Sequence, residues 1–418
     1  MDKCKEFFKS LFMILIGVLF FSTTWIPWIF LYIAVLAFCF LEPLSTWIAL
    51  RKGYKSFDPL DKRLSIFNLM SGIILLFSPS FFPVYLYLFL GLWTLGASLL
   101  FAIDAWVRKH DGQSGAIRRM LFAFYGTLIA VFLLFGRQLN IKVEFLSILG
   151  GTFFILYGLE NMLIFFRHHY PSSFIAKHSN LSLALPMLLS AFYPLRACIS
   201  IKALMKRMKE EAITTKETPD LWVYFYLKDT GMEIFGHVDI AYKDTIYSYG
   251  CHDPHNRRLM GTLGDGVLIV SDRESFIRTN AEVDHKIVLG YGLYLKEKEK
   301  AVLEEKIQGL MARTTPWHCD AELYKDDTIH DYASRMWKGT HCQFYKFTEG
   351  KFRTYFVAST NCVLLADTLI RNKELSLVTL TGFIAPGAYL TFLNQEYKAG
   401  RIAARTIYSH DPSDNTRS

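Results

Sequence analysis

The 418-residue sequence predicts a polytopic α-helical membrane domain of three helix hairpins followed by an α+β domain. Two observations carry that expectation. The chain is 52% hydrophobic and only 20% charged, with a mean hydropathy of +0.22, whereas an ordinary soluble domain carries roughly 25% charged residues. The charge is also unevenly divided. Residues 1–200 hold nine of the 38 acids and 17 of the 46 bases, leaving 29 of each for residues 201–418, so the whole net charge of +8 lies in the first half. Bases gathered around apolar, nearly acid-free stretches are the product of the positive-inside rule; a nucleic-acid-binding protein would place them on a polar domain. Nucleic acid is therefore excluded as a leading partner.

Within residues 1–170, apolar stretches recur in pairs: 7–25 with 28–50, 64–78 with 84–103, and 120–135 with 143–166. A bilayer-crossing helix needs about 17 to 25 residues, so six spans are expected, the third and fifth being short. No small-residue cleavage site comes after the first stretch, which reads as a retained helix. Each pair starts with bases (Lys5 and Lys9, Lys62 and Arg63, Arg118 and Arg119) and closes with a basic cluster (Arg51-Lys52, Arg108-Lys109, Arg167-His168-His169). The period is about 55 residues, with Gly17 and Gly72 in matching places, which marks a threefold repeat. The bases put the N-terminus, the 51–63 and 104–119 loops and the exit after Phe166 on the cytoplasmic side. This layout resembles the HdeD-like family of six-helix bacterial membrane proteins over about residues 7 to 170, which implies a multi-pass protein of the bacterial inner membrane.

Intramembrane carboxylates are the usual functional pointers, and Glu42, Asp104, Glu144 and Glu160 qualify. All four lie near helix ends, where a carboxylate reaches the interface or a neighbouring base, so they read as structural. Residues 171–219 form a connecting segment. Its apolar part, 181–195, contains Pro186 and Pro194 and runs into the bases Lys202, Lys206, Arg207 and Lys209, which suits an interfacial helix; a seventh span extending to Ile201 stays open, and with it the sidedness of the α+β domain.

Residues 220–400 change period. Trp222–Leu227 is rich in β-formers, and Gly236–Tyr242 and Thr245–Gly250 flank Lys243-Asp244 as a β-hairpin. Strands are expected at 266–270, 287–295 and 352–357, and a solvated helix at 296–311 with Val302, Ile307 and Leu310 on its apolar side. A helix begins at Cys362 after Ser359, Thr360 and Asn361, all good capping types. A thiol at a helix start feels the positive end of the helix dipole, which favours the thiolate, and a strand-borne histidine completes an activated nucleophile. His237 is that histidine, because Gly236 before it admits close approach. Pairing across the two-residue turn sets Asp239 opposite Ser248 on the face of His237, so Ser248, Asp239 and His252 are candidates for the group that orients the imidazole.

Phe235-Gly236-His237 opening a strand, Ile246–Gly250 on the next, a helix after Leu295 and Ser359-Thr360-Asn361-Cys362 on a later helix together resemble the circularly permuted papain-like fold. There the histidine strand precedes the cysteine helix, the reverse of the order in NlpC-type cell-wall hydrolases. The resemblance spans about residues 220 to 380 and is greatest to the bacterial periplasmic lipoprotein N-acyltransferase-like family; lecithin:retinol acyltransferase-like enzymes share the order. Val363-Leu364 stands where that family has Glu-His, and Gly250 or Cys251 falls near its second histidine. The resemblance implies a Cys-His acyltransferase or acyl hydrolase working through a thioester on a membrane lipid or lipidated protein, without a cofactor. The alternatives are a cell-wall amidase or peptidase of the same fold, or a non-catalytic membrane stress protein.

The seven cysteines show no repeated C-x-x-C. Cys251-His252-x-x-His255, Trp317-His318-Cys319 and His341-Cys342 lack zinc spacing and read as loop residues or a Cys319–Cys342 disulfide; no metal is expected. Gly261–Gly266 lacks the Lys-Ser/Thr of a phosphate loop and reads as a turn. Residues 401–418 read as a polar tail. Oligomeric state, acyl donor and acceptor are left open by the sequence.

Overall fold

A computed structural model describes residues 2–22, 25–51, 59–135, 143–169, 219–227 and 236–370, with 390, 393, 397, 402 and 404–408. Two compact units emerge: Met1–Phe101 with Leu121–Leu189, and Ala102–Met120 with Ser190–Ser418. The expected interfacial segment at 181–195 and the bases 202–209 lie outside the described residues.

The first unit is helical. Leu-, Phe- and Ile-rich runs give α1 (Asp2–Ser22), α2 (Trp25–Arg51), α3 (Pro59–Phe77), α4 (Phe82–His110), α5 (Ala116–Leu134) and α6 (Val143–His169), the last turns of α4 and the first of α5 belonging to the second unit. Pro79 comes just after the end of α3, where a residue without an N–H cannot continue the ladder. Of the six spans expected, two segments among the described residues are long and apolar enough to cross a membrane, Pro79–His110 and Ala116–Leu134. Phe7–Ser22 and Tyr32–Ile48 are apolar but shorter. Charges at the start of α1 and of α3, such as Lys9, Lys62 and Arg63, shorten the uncharged part of each helix.

The close helix pairs differ from the consecutive hairpins expected. α1 packs along α6 and α2 along α3, while α5 meets α4 where Gly126 abuts Ser98 and Gly91 abuts Leu134. Small residues set this choice. A Cβ on Gly17 would lie 2.6 Å from Ile155 Cγ1 and 2.8 Å from the Gly151 carbonyl oxygen, and one on Gly72 would lie 2.9 Å from Cys39 Cβ. Only a bare backbone allows such approach. Gly17, Gly72 and Gly126 therefore occupy equivalent places: the first helix of each repeat packs on the second helix of the preceding one, and the first repeat packs on the third.

Two of the four carboxylates are held as structural groups. Glu42 accepts from Thr46 Oγ1 and Asn68 Nδ2, each at 3.0 Å. In the second unit, buried Asp104 pairs with Arg108 Nε at 3.1 Å and Arg119 Nε at 2.9 Å. The Glu144 and Glu160 side chains lie outside the described residues.

The second unit is α+β. Its strands are β1 (Leu221–Leu227), β2 (His237–Tyr242), β3 (Thr245–Gly250), β4 (Leu263–Asp265), β5 (Val267–Asp272), β6 (Ile287–Leu293), β7 (Thr314–Trp317), β8 (Gln343–Phe347), β9 (Thr354–Phe356) and β10 (Ala404–Tyr408). Its helices are α7 (Arg273–Glu282), α8 (Glu297–Met311), α9 (Asp320–Tyr324), α10 (Tyr332–Thr340) and α11 (Cys362–Ile370). An eight-stranded sheet runs in the order β10-β6-β1-β2-β3-β5-β8-β7, and β4 pairs with β9; each pairing is antiparallel. β10 lies at one edge of this sheet, inside the stretch expected to be a polar tail. Tyr224, Tyr249, Tyr291, Phe225 and Phe276 are fully buried, so aromatic side chains supply much of the apolar area that holds the unit together. Asp272 caps α7 by accepting from Ser275 N at 2.9 Å. Cys319 and Cys342 are free buried thiols and form no disulfide, because both are packed as small apolar groups in the core.

Candidate active site

Gly236 enters β2 at φ +76°, a left-handed conformation that admits glycine without strain. The turn at Lys243 is also left-handed, as a two-residue hairpin requires. The pairs Ile240–Tyr247, Ala241–Ile246 and Tyr242–Thr245 fix the register; continuing it sets Asp239 opposite Ser248 and His237 opposite Gly250. Alternation along a strand then puts His237, Asp239 and Ser248 on one face.

Those three side chains meet. His237 Nε2 lies 2.8 Å from Asp239 Oδ1 and 3.0 Å from Ser248 Oγ. Asp239 and Ser248 are fully buried, while the His237 side chain keeps 23% of its surface exposed. Tyr226 is paired with His237 across β1 and β2; its buried hydroxyl has no hydrogen-bond partner among the described residues, and burial, followed by the charge of Asp239, pushes it far above its usual range. It stays protonated and can donate.

Cys362 opens α11, which packs on β2 and β3. Its turn is heavily tied. Asn361 Oδ1 accepts from Leu364 N at 3.0 Å, which caps the helix, and Asn361 Nδ2 donates to the Val357 carbonyl at 2.8 Å. Thr360 Oγ1 donates to the Thr354 carbonyl at 2.7 Å. The buried thiol is close enough to the His237 ring to bear on its charge. Burial pushes the imidazole down, but the Asp239 carboxylate and then Cys362 outweigh it and raise the group from 6.5 to about 10. His237 is thus protonated at neutral pH, a cation held between a carboxylate and a sulfur.

His252 stands apart from this cluster. Its ring centroid is 6.2 Å from that of His237 and it stacks on Tyr332 at 5.1 Å. Burial, followed by repulsion from His237, pushes it well below 6.5, and its Nε2 has no hydrogen-bond partner among the described residues. His252 is therefore a neutral neighbour of the pair, and Asp239 and Ser248 are the groups in contact with the imidazole. Cys251 likewise is pushed up to about 11 by burial.

Tyr355 joins the site without having been read from the sequence. Burial, followed by the charges of Cys362 and Cys251, pushes its hydroxyl far above its usual range. Its signal was weak: a tyrosine in a short strand seven residues before the thiol. Among the described residues, no group of three or more His, Cys, Asp or Glu side chains is gathered to hold a metal ion.

Fold and site together define an antiparallel α+β unit bearing a thiol at a helix start and a strand-borne imidazole backed by a carboxylate. No protein-family model matches the chain, and the comparisons with curated proteins and with solved structures found no match either.

Proposed function

We propose that the chain is a membrane-anchored Cys-His acyltransferase or acyl hydrolase of permuted papain-like fold. The observation that carries this reading is that Cys362 opens a helix packed on β2 and β3, the strands that bring His237, Asp239 and Ser248 together. Cys362 sulfur attacks an ester or amide carbonyl; a carbon–sulfur bond forms, the alcohol or amine departs, and His237 supplies its proton. Water or an amine then attacks the thioester, giving up a proton to His237 and releasing the sulfur. Asp239 holds the imidazole in orientation and stabilises its cationic form. The N–H groups of Cys362 and Val363, ahead of the capped Leu364 N–H at the start of α11, are suited to hold the oxyanion.

The helical unit supports a membrane setting for this chemistry. Phe12, Leu15, Ile66, Phe67, Leu99 and Leu128 are exposed large apolar side chains, an arrangement suited to lipid and costly in water. Six helices bearing that surface make a multi-pass anchor in a bacterial inner membrane the preferred reading. A bilayer keeps acyl chains close to the enzyme at no cost of bringing them into water, about 0.8 kcal/mol per CH₂. Membrane lipid or lipidated protein is accordingly the favoured substrate class.

Incubating the full chain in phospholipid-containing detergent micelles and measuring intact mass tests this. An acyl-sized mass gain on the Cys362 peptide, lost in Cys362→Ala, is expected. A gain that persists in Cys362→Ala, or labelling confined to other cysteines, refutes the reading.

A further inference from the structure

The second unit contains Ala102–Met120, the end of α4, the adjoining loop and the start of α5. In that loop Asp111 has a fully buried carboxylate. Its Oδ1 accepts from Thr354 Oγ1 at 2.7 Å and its Oδ2 from Thr354 N at 3.2 Å. His110 Nδ1 lies 3.0 Å from Oδ1, and Gln113 Nε2 reaches Oδ2 at 3.5 Å. Asp111 N donates to the Val107 carbonyl, which locks the residue to the end of α4. A carboxylate with no solvent exposure is costly unless it is hydrogen-bonded, so the site is specified by its partners.

Thr354 is an informative partner. Its carbonyl accepts from Thr360 Oγ1 at 2.7 Å, two residues before the thiol. Phe356 N donates to the Thr360 carbonyl at 3.3 Å, so β9 and the entry to α11 form one short hydrogen-bonded loop. On its other side β9 is held by β4 and by Val357 N donating to the Thr262 carbonyl. Hydrogen bonds therefore run from Asp111, in a loop far away in sequence, through Thr354 to Thr360, two residues before Cys362.

We propose that Asp111 is a positioning residue for the Cys362 turn, fixing β9 through both donors of Thr354 and thereby the alignment of sulfur with the His237 imidazole. This rests on the reading of Cys362 and His237 as the reactive pair. Asp111 touches neither sulfur nor imidazole; it acts through Thr354 and Thr360. Because Asp111 is the next residue after α4, these hydrogen bonds tie the reactive turn to the end of α4 within the second unit.

Four variants of the full chain in detergent decide the matter: Asp111→Asn, Thr354→Val, Thr354→Ser and His237→Ala. Carbamidomethylation of Cys362 by iodoacetamide is followed by peptide mass spectrometry at pH 6 and pH 9, with thermal unfolding measured in parallel. An amide at 111 can accept from only one of the two Thr354 donors, and valine at 354 removes the hydroxyl; misalignment by about 1 Å costs on the order of 10- to 100-fold in reactivity. A drop of about that size is expected at pH 6 in Asp111→Asn and Thr354→Val, and a smaller one at pH 9, where an ordinary thiol ionises without a neighbouring cation. Thr354→Ser restores the hydroxyl and is expected within about 2-fold of wild type. Wild-type labelling in Asp111→Asn and Thr354→Val while His237→Ala is slowed at pH 6 overturns the positioning role alone. Wild-type labelling in His237→Ala overturns the reactive pair, and the proposal with it. Should Asp111→Asn fail to fold, Thr354→Val against Thr354→Ser carries the same decision.

Discussion

Replacing Asp239 with Asn removes one charge from the site and keeps its shape. In the folded protein the His237 imidazole is raised from 6.5 to about 10, against the downward push of burial, by Asp239 first and Cys362 second. A rise of that size corresponds to about 5 kcal/mol favouring the imidazolium, shared between the two partners. The folded value lies above the free value. The stabilisation is therefore fully present below pH 6.5 and is lost as pH rises through about 10. With Asn at 239 burial meets less opposition, and the imidazole is expected to lose its proton in the range of free histidine, about pH 6 to 7, or lower. NMR of the chain labelled with ¹³C at histidine Cε1 reads this directly, the resonance being assigned by its loss in His237→Ala. Melting temperature should fall between pH 7 and 10 more steeply in wild type than in Asp239→Asn. An Asp239→Asn resonance that still titrates near pH 10 would refute the assignment of Asp239 as the main support of the imidazolium.

Cys362→Ala should lower the same His237 midpoint in part, since the sulfur is the second group that raises it; an unchanged midpoint would show that the two do not interact. In the helical unit, Gly17→Leu sets a side chain against Ile155 and the Gly151 carbonyl, and a loss of about 1–3 kcal/mol is expected by detergent unfolding. Gly96→Ala is the control: its Cβ meets nothing within 4 Å, and a neutral effect or a gain of up to about 1 kcal/mol is expected. Lys346 joins Asp253 at 2.6 Å and Asp265 at 2.8 Å. Lys346→Met should destabilise by about 3 kcal/mol in urea denaturation at pH 7, because buried Asp253 loses its cation. Burial pushes Asp253 up, but Lys346, Asn256 and the His255 N–H together hold it below its usual value. Its contribution is therefore present above about pH 3.9 and lost as pH falls, so the Lys346→Met penalty should shrink in acid.

The histidine hairpin was legible because a strand's period of two and a two-residue turn leave little freedom: Lys243-Asp244 fixes the register, and the register places Asp239 and Ser248 beside His237. The start of α11 was legible because Ser359, Thr360 and Asn361 suit a helix entry, and Asn361 does cap it. Which candidate orients the imidazole was not legible. Asp239 and Ser248 share one face by alternation alone, whereas His252 lies past the end of β3, where direction depends on the loop. There His252 lies over Gly250 and stacks on Tyr332, whose place in α10 no local pattern reveals. Tyr355 and Asp111 escaped for the same reason, since each acquires its meaning from a partner distant in the chain.

The helical unit separates the two kinds of information more sharply. Apolar stretches and basic flanks locate six helices, because each of those signals is local. Partner choice is another matter: apolar helices offer similar surfaces to lipid and to each other, so hydropathy cannot rank α2 above α6 as the neighbour of α1. What decides is close approach, and Gly17 and Gly72 marked the places where it occurs without naming the opposing backbone. Gly126 in the third repeat falls into the same series only once its contact with Ser98 is known. If these glycines set the pairing, a bulky residue at Gly72, against Cys39 and Phe40, should loosen α3 from α2 as Gly17→Leu loosens α1 from α6. Equal destabilisation at the two positions, against a neutral Gly96→Ala, would make the threefold repeat a rule of packing as well as of hydropathy.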